Sequence, residues 1–303
     1  MYTQKTLAVV VGPTAVGKTA TAIFLAQHFD TEIISADSRQ FYREMSIGTA
    51  KPDADELKTA PHHFIDSHSI EEEYSAGDFE REALVLLDML FQKQDVVIMV
   101  GGSGLFVRAV CEGLDDLPKA PQCVRDRLNH EFAERGLTPL QERLKQIDPS
   151  YYVVADIANP QRVIRALEVY EATGRPISQF QKQGTGKRPF QIITIGLHME
   201  REKLYERINL RVDKMMEQGL LDEVKSLLPY RHKPALLTVG YAELFDYLDG
   251  KCSLEEAVDK IKQNSRRYAK RQITWFKKYG DTTWFDSTDR EGICAFLEQK
   301  IYS

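Results

Sequence analysis

The chain has 303 residues, 43% of them apolar, with 18 glycines and 12 prolines. That balance excludes collagen-like, low-complexity and disordered chains, and the length suits about two domains. Forty Lys and Arg against forty-five Asp and Glu leave a formal charge of −5, which excludes a wholly basic nucleic-acid coat.

No run approaches the roughly eighteen apolar residues of a membrane span, and the first residues lack a signal-peptide pattern. The expectation is a cytoplasmic protein without a membrane partner. Residues 7–11 form a valine-rich run that predicts a strand, and Ala22, Leu25 and Ala26 at helical spacing predict a helix over Lys18–His28. Between them, Gly12-Pro13-Thr14-Ala15-Val16-Gly17-Lys18-Thr19 fits GxxxxGK[ST] in the strand, loop, helix setting that gives this motif meaning. In such a nucleotide-binding loop, with ATP as a common ligand, backbone amides curl around a polyphosphate. Lys18 supplies a cation, and Thr19 is placed to ligate phosphate-bound Mg²⁺. An ordinary tight turn before a helix accounts for less of the pattern. The loop alone does not say whether phosphate is hydrolysed, transferred or discarded with a leaving group.

A second predicted strand, 32–36, ends at Asp37, and a third, 95–100, ends at Gly101-Gly102-Ser103-Gly104. In a parallel α/β sheet the carboxyl ends of the strands border the binding crevice. There Asp37 can accept a proton, hold a metal through water or cap a helix. Gln40 carries the donor and acceptor of an adenine match or is plain surface polarity, Ser38 reads equally as a cap, and Arg39 as a solvated cation. Ser103 brings a hydroxyl toward transferred negative charge or caps the next helix. His62-His63 has no third ligand at a recognisable spacing and reads as structural, and Cys111, Cys123, Cys252 and Cys294 read as packing residues.

A break at 114–121 precedes predicted helices over 124–135, 139–147 and Pro160–Thr173; a polar stretch, 174–189, then leads to a strand over 190–197. The expected fold is α/β, a P-loop NTPase-like parallel sheet core (1–114 and 188–303) with a helical insertion domain at 115–187. Leu204, Ile208 and Val212 at spacings of four, and the long segment Leu254–Lys278, make the end of the chain helical. Between 260 and 278 stand eight basic residues and no acidic one, which suits a polyanion partner or a solvated helix face. The absence of a sustained heptad makes a monomer the default, with no obligate protein partner.

These residues resemble the tRNA dimethylallyltransferase family, also called tRNA isopentenyltransferases. The likeness is carried by the phosphate loop, Ala36-Asp37-Ser38-Arg39-Gln40, Ile47-Gly48-Thr49-Ala50-Lys51-Pro52 and Gly101-Gly102-Ser103-Gly104-Leu105. Later blocks run over 161–168, 211–215 and 269–275, so the resemblance covers nearly the whole chain. It implies that residues Gly12 to Thr19 hold the diphosphate of dimethylallyl diphosphate rather than ATP. Asp37 would be the general base for the N6 amine of the adenosine 3′ of the anticodon, with Lys18, Arg211 and Mg²⁺ near Thr19 stabilising the leaving diphosphate. Asp37, Ser38, Arg39, Gln40 and Ser103 would contact the target nucleotide. Gln161, Arg162, Val163, Ile164 and Arg165 would contact the tRNA anticodon stem-loop, with the adenosine flipped into a channel. Two positions depart from the family pattern: Ser103 replaces the usual threonine, and Phe106 a common tyrosine.

Two other readings share the same residues. A P-loop kinase of a nucleoside or small metabolite would use the loop and Asp37 with ATP. A nucleotide-responsive RNA-binding protein would use the basic segment without transfer chemistry.

Overall fold

The computed structural model describes residues 4–115, 117–181 and 187–303. Residues 1–3, Asp116 in the break and 182–186 in the polar stretch lie outside the described residues. Apolar runs build the sheet: β1 (Thr6–Val11) is buried at every position. Successive strand side chains point to opposite faces, so Leu7, Val9 and Val11 enter one core while Ala8 and Val10 enter the other. Helices therefore cover both faces, as an all-parallel sheet requires.

In chain order follow α1 (Lys18–His28), β2 (Ile33–Ser35), α2 (Ala54–Thr59), β3 (His62–His63), α3 (Ala76–Leu90), β4 (Val96–Gly101) and α4 (Gly104–Glu112). After the insertion come β5 (Gln191–His198), α9 (Arg201–Glu217), α10 (Leu220–Ser226), α11 (Tyr241–Leu248), α12 (Leu254–Lys278), β6 (Thr282–Asp286) and α13 (Arg290–Tyr302). The strands order as β3-β2-β4-β1-β5-β6, every neighbouring pair parallel, with Thr6 of β1 in register with Val96 of β4 and Gln191 of β5. The carboxyl ends of β1, β2 and β4 thus lie side by side, bringing together the phosphate loop, Asp37 and the Gly101–Gly104 turn.

Strands β1, β2, β4 and β5 and helices α1 and α12 match the sequence expectation to within a residue or two at each end, whereas β3 and β6 are not among the expected strands. The pattern reading leaves α3 unassigned, although Phe79, Ala83, Leu87 and Leu90 repeat at helical spacing behind a Ser75/Asp78 capping box. Strand β3 has two residues, too few for any alternation to register.

The chain divides into two compact units: the described residues of Met1–Cys111 and Arg188–Ser303 form one, and those of Glu112–Lys187 the other. The second begins at Glu112, the last residue of α4, three residues before the expected boundary. Its helices are α5 (Gln122–Arg135), α6 (Thr138–Ile147), α7 (Pro149–Val154) and α8 (Pro160–Thr173). They enclose a core of their own from Leu128, Leu140, Leu144, Val163, Ile164 and Leu167. Glu168, 1% exposed, is held there by Arg125 at 3.0 Å and Arg165 at 3.2 Å; pairing is what lets a carboxylate be buried.

The expectation that all four cysteines pack inside fails for Cys123, which is exposed on α5; Cys294 is buried, and Cys111 and Cys252 are half-buried. No helix among the described residues is long and apolar enough to cross a membrane.

Candidate active site

The phosphate loop joins β1 to α1 through Gly17, which caps the helix at φ 112°, a left-handed conformation that a side chain would strain. Lys18 folds back over the loop and donates to the Pro13 carbonyl at 2.8 Å. Burial, and secondarily the nearby Arg211 guanidinium, lower its pKa to about 8, while Asp37 pulls the other way. A cation crowded in this way is a site waiting for negative charge.

Asp37 follows β2 and accepts a 2.9 Å hydrogen bond from the Arg39 amide, an Asx turn that fixes one carboxylate oxygen. The Ser38 amide donates to Ser103 Oγ at 2.9 Å, and Ser103 Oγ donates to Ser38 Oγ at 3.0 Å, tying the Asp37 segment to the turn after β4. Arg39 donates to the Ser38 carbonyl at 2.9 Å, and its Nε is buried with no partner among the described residues. Gln40 is committed within the chain: its amide donates to the Thr49 and Ala50 carbonyls, both at 3.2 Å, and accepts from Ser35 Oγ at 3.1 Å. In this state it braces a loop rather than presenting an open adenine-matching edge.

Helix α9 lays Arg207, Arg211, Lys214 and Met215 along the phosphate-loop cavity, at the spacing of one helix face. Arg211 Nη1 donates to Thr14 Oγ1 at 3.2 Å. Burial and then Arg207 lower its pKa, opposed by Asp37, but a guanidinium keeps its charge regardless. Helix α12 contributes Tyr268 and the buried Gln272, which accepts from the Thr14 amide at 2.8 Å and donates to the Gly102 carbonyl at 3.0 Å. One side chain thereby clamps the β1 loop to the β4 turn. Burial, then the Asp37 charge, push the Tyr268 phenol up to about 12, so it stays protonated at neutral pH.

A second cavity runs from Asp37, Ser38 and Arg39 between Ile208, Val212 and Ile261. The two cavities share Thr14, Asp37, Thr49, Ala50, Arg211, Met215 and Tyr268. One is polar and cationic around the phosphate loop, the other combines polar groups with an apolar patch of Ile208, Val212, Val239 and Ile261, and Asp37 lines both. The arrangement can hold a diphosphate ester on one side, an apolar group beside it, and a proton acceptor between them.

The sequence reading brings Gly12 to Thr19, Asp37 to Gln40, Ser103 and Arg211 into this one site. It misses Arg207, Lys214, Tyr268 and Gln272; the signal available for the last two was their spacing of four on α12. Three expected tRNA-contacting residues need correction. Val163 and Ile164 are 0% exposed in the core of the smaller unit, so their side chains pack and do not reach a ligand. Arg165 is spent internally, on Glu168 and on the Leu117 and Pro118 carbonyls. Gln161 and Arg162 remain exposed.

The basic run on α12 is partly paired: Lys262 meets Asp213 at 2.6 Å, and Arg266 donates to Asn209 and lies over the Tyr205 ring. Phe276 is buried and Trp275 packs against Gly104, as core residues. Phe106 packs its ring against Phe41 and Phe79, at centroid distances of 5.3 and 5.5 Å, so an aromatic without a hydroxyl suits that place. His62 donates to the Ala60 carbonyl and His63 meets Glu32 at 2.6 Å.

Among the described residues no group of three His, Cys, Asp or Glu could hold a metal. The oxygen donors nearest the phosphate loop are the Thr19 hydroxyl and the Asp37 carboxylate; Asp53 and Glu56 also line the cavity, but their carboxylates are used in the α2 capping box. That sparse set fits Mg²⁺ carried in by phosphate oxygens and water, the usual habit of the ion, rather than a caged one.

A family model described as IPP transferase matches residues 40–279. The chain is 51% identical over 300 residues to a tRNA dimethylallyltransferase of Cytophaga hutchinsonii, covering 99% of each, and 52% identical over 293 residues to that of Christiangramia forsetii, covering 96% and 97%. Among solved structures, the full-length tRNA isopentenylpyrophosphate transferase of Bacillus halodurans is 40% identical at a TM-score of 0.73, over 99% of this chain and 97% of that one. A eukaryotic dimethylallyltransferase acting on tRNA is 29% identical at a TM-score of 0.78, over 94% and 74%.

Proposed function

The chain belongs to the IPP transferase family, the tRNA dimethylallyltransferases, and we propose that the paired cavities around Asp37 are where it carries out that reaction. It transfers a dimethylallyl group from dimethylallyl diphosphate to the tRNA adenosine adjacent to the anticodon. The observation that carries the site reading is that Asp37, Thr14, Arg211 and Tyr268 line both cavities. An acid–base group, a leaving-group cation and two reactant spaces then meet at one point.

Residues Gly12 to Thr19 bind the diphosphate, with Lys18 and Arg211 on its oxygens. The adenosine, flipped out of the anticodon loop, enters beside Ser38 and Arg39, which line the second cavity. As N6 bonds to the allylic C1, the C1–O bond breaks and its electron pair leaves with diphosphate; the N6 proton passes to Asp37. Fixed cations matter because the charge on the leaving oxygens grows in the transition state. A family-implied divalent ion, Mg²⁺ at Thr19, would neutralise diphosphate charge when bound. Ser103, tied to Ser38, orders the nucleotide-binding segment. Outside the core unit, Gln161 and Arg162 contact the anticodon stem-loop, and the unpaired cations of α12 add phosphate contacts. A tRNA substrate supports the reading of a cytoplasmic enzyme.

The test is to incubate purified protein with Mg²⁺, dimethylallyl diphosphate and unmodified tRNA, and to weigh the adenosine beside the anticodon. A five-carbon prenyl addition is expected; an unchanged mass from folded, tRNA-binding protein defeats the reading.

The lowered pKa of Lys18 sets a pH dependence. Diphosphate binds the protonated lysine, which the free enzyme loses as pH rises through about 8. The kcat/KM for dimethylallyl diphosphate is therefore expected to be flat below that value and to fall with unit slope above it, since this ratio reports the free enzyme. A pH titration at tRNA well below its KM, where the donor meets the tRNA-free enzyme, checks it; a profile flat to about pH 9.5 contradicts it.

A further inference from the structure

The geometry points to Glu223 as a positioning residue for the prenyl donor: from α10, its carboxylate fixes the loop that walls both cavities. This rests on the reading of those cavities given above. Glu223 Oε2 accepts from the amides of Ser46 and Ile47 at 3.0 and 2.7 Å, and Oε1 from the amide of Gly48 at 3.0 Å. Three successive amides converging on one carboxylate form an anion-holding nest, here filled by the protein's own side chain. The buried Tyr241 hydroxyl completes it, donating to Oε1 at 2.7 Å. Burial and the Glu223 charge both raise the phenol's pKa, so it stays a donor.

The loop has no alternative seat. A Cβ at Gly48 would lie 2.6 Å from the Tyr241 ring, so the backbone is pressed flat against that ring. From the opposite side Gln40 holds the Thr49 and Ala50 carbonyls, and Lys51 donates to the Tyr42 carbonyl at 2.6 Å. Ala50 is held at φ 49°, a conformation that costs a non-glycine residue free energy and persists only where its surroundings impose it. Between these two anchors Thr49 and Ala50 face both cavities, opposite Arg211. Ile47 and Lys51 face the phosphate-loop cavity alone. Glu223 lines neither cavity, so it acts on the donor only through the loop.

The test compares E223Q and Y241F with the parent in steady-state prenyl transfer, varying dimethylallyl diphosphate at saturating tRNA, alongside thermal melting of each protein. A glutamine replaces one acceptor oxygen with a donor, which opposes the Gly48 amide and frees that side of the loop. The expected result for E223Q is a donor KM raised about tenfold with kcat lowered less than about threefold, the scale of losing one or two hydrogen bonds to a charged group. Y241F, which keeps the carboxylate and the ring, is expected to raise donor KM about threefold. A merely structural role would lower the active fraction, reducing kcat at constant KM, and that result overturns the proposal. If E223Q does not fold, Y241F decides alone, and an unchanged donor KM overturns it. Parent protein without transferase activity would instead sink the site's assignment, so the two failures are told apart in one assay.

Discussion

Replacing Asp37 with asparagine is expected to leave tRNA binding within about threefold of the parent and to cut the single-turnover transfer rate by roughly 10²–10⁴, the worth of a positioned general base. The asparagine oxygen can still accept from the Arg39 amide, which holds the segment at 2.9 Å, and the Ser38 and Ser103 contacts do not involve the carboxylate. What is lost is the acceptor for the N6 proton at the junction of the cavities. An exocyclic adenine amine is a weak nucleophile, so attack without proton removal leaves a cationic nitrogen beside Arg211 and Lys18. Filter binding and rapid-quench transfer, measured on the same preparations, check the split. Equal loss of binding and transfer would make Asp37 a folding or positioning group.

The second large effect is on the leaving group. Arg211→Gln is expected to lower kcat by about 10²–10³, the range seen when one preorganised transition-state donor is removed. Arg211 reaches the site from α9 and donates to Thr14 of the phosphate loop; Arg207 and Lys214 line the phosphate-loop cavity beside it, but of the three only Arg211 also lines the second cavity. The substitution carries a second signature. Arg211 is one of the groups that depress Lys18; without it the lysine holds its proton to higher pH. The alkaline fall in kcat/KM for the donor is therefore expected to move above the parent's limb at about 8. A loss of rate with an unmoved pH limb would mean that Arg211 and Lys18 do not share one anion site.

The kinase and noncatalytic readings were equally open to the phosphate loop alone, because an anion cradle is indifferent to what the anion is attached to. Matches over nearly the whole chain to tRNA dimethylallyltransferases decide among them. The cavity beside Asp37 is compatible with that outcome, because Ile208, Val212 and Ile261 give it an apolar patch next to polar groups.

The sequence by itself determined the strand ends and their chemistry. GxxxxGKT, Asp37 and the Gly101–Gly104 turn each follow a run of buried β-formers, and such local patterns survive folding because they are set by backbone sterics and burial period. It also led to the expectation of an insertion, through a break and three segments of helical spacing. Only the tertiary structure decided what depends on contacts across the chain. Gln272 meets Thr14 over 258 positions and Glu223 meets Gly48 over 175, and no spacing rule spans such distances. The same holds for residues the motif match favoured and the structure withdrew: Val163 and Ile164 sit in a block that reads as one recognition surface, yet a helix turns about 100° per residue and sends them to the core. A sequence shows which groups are near one another along the chain; which of them can face the same ligand is set by the packing of helices against the sheet.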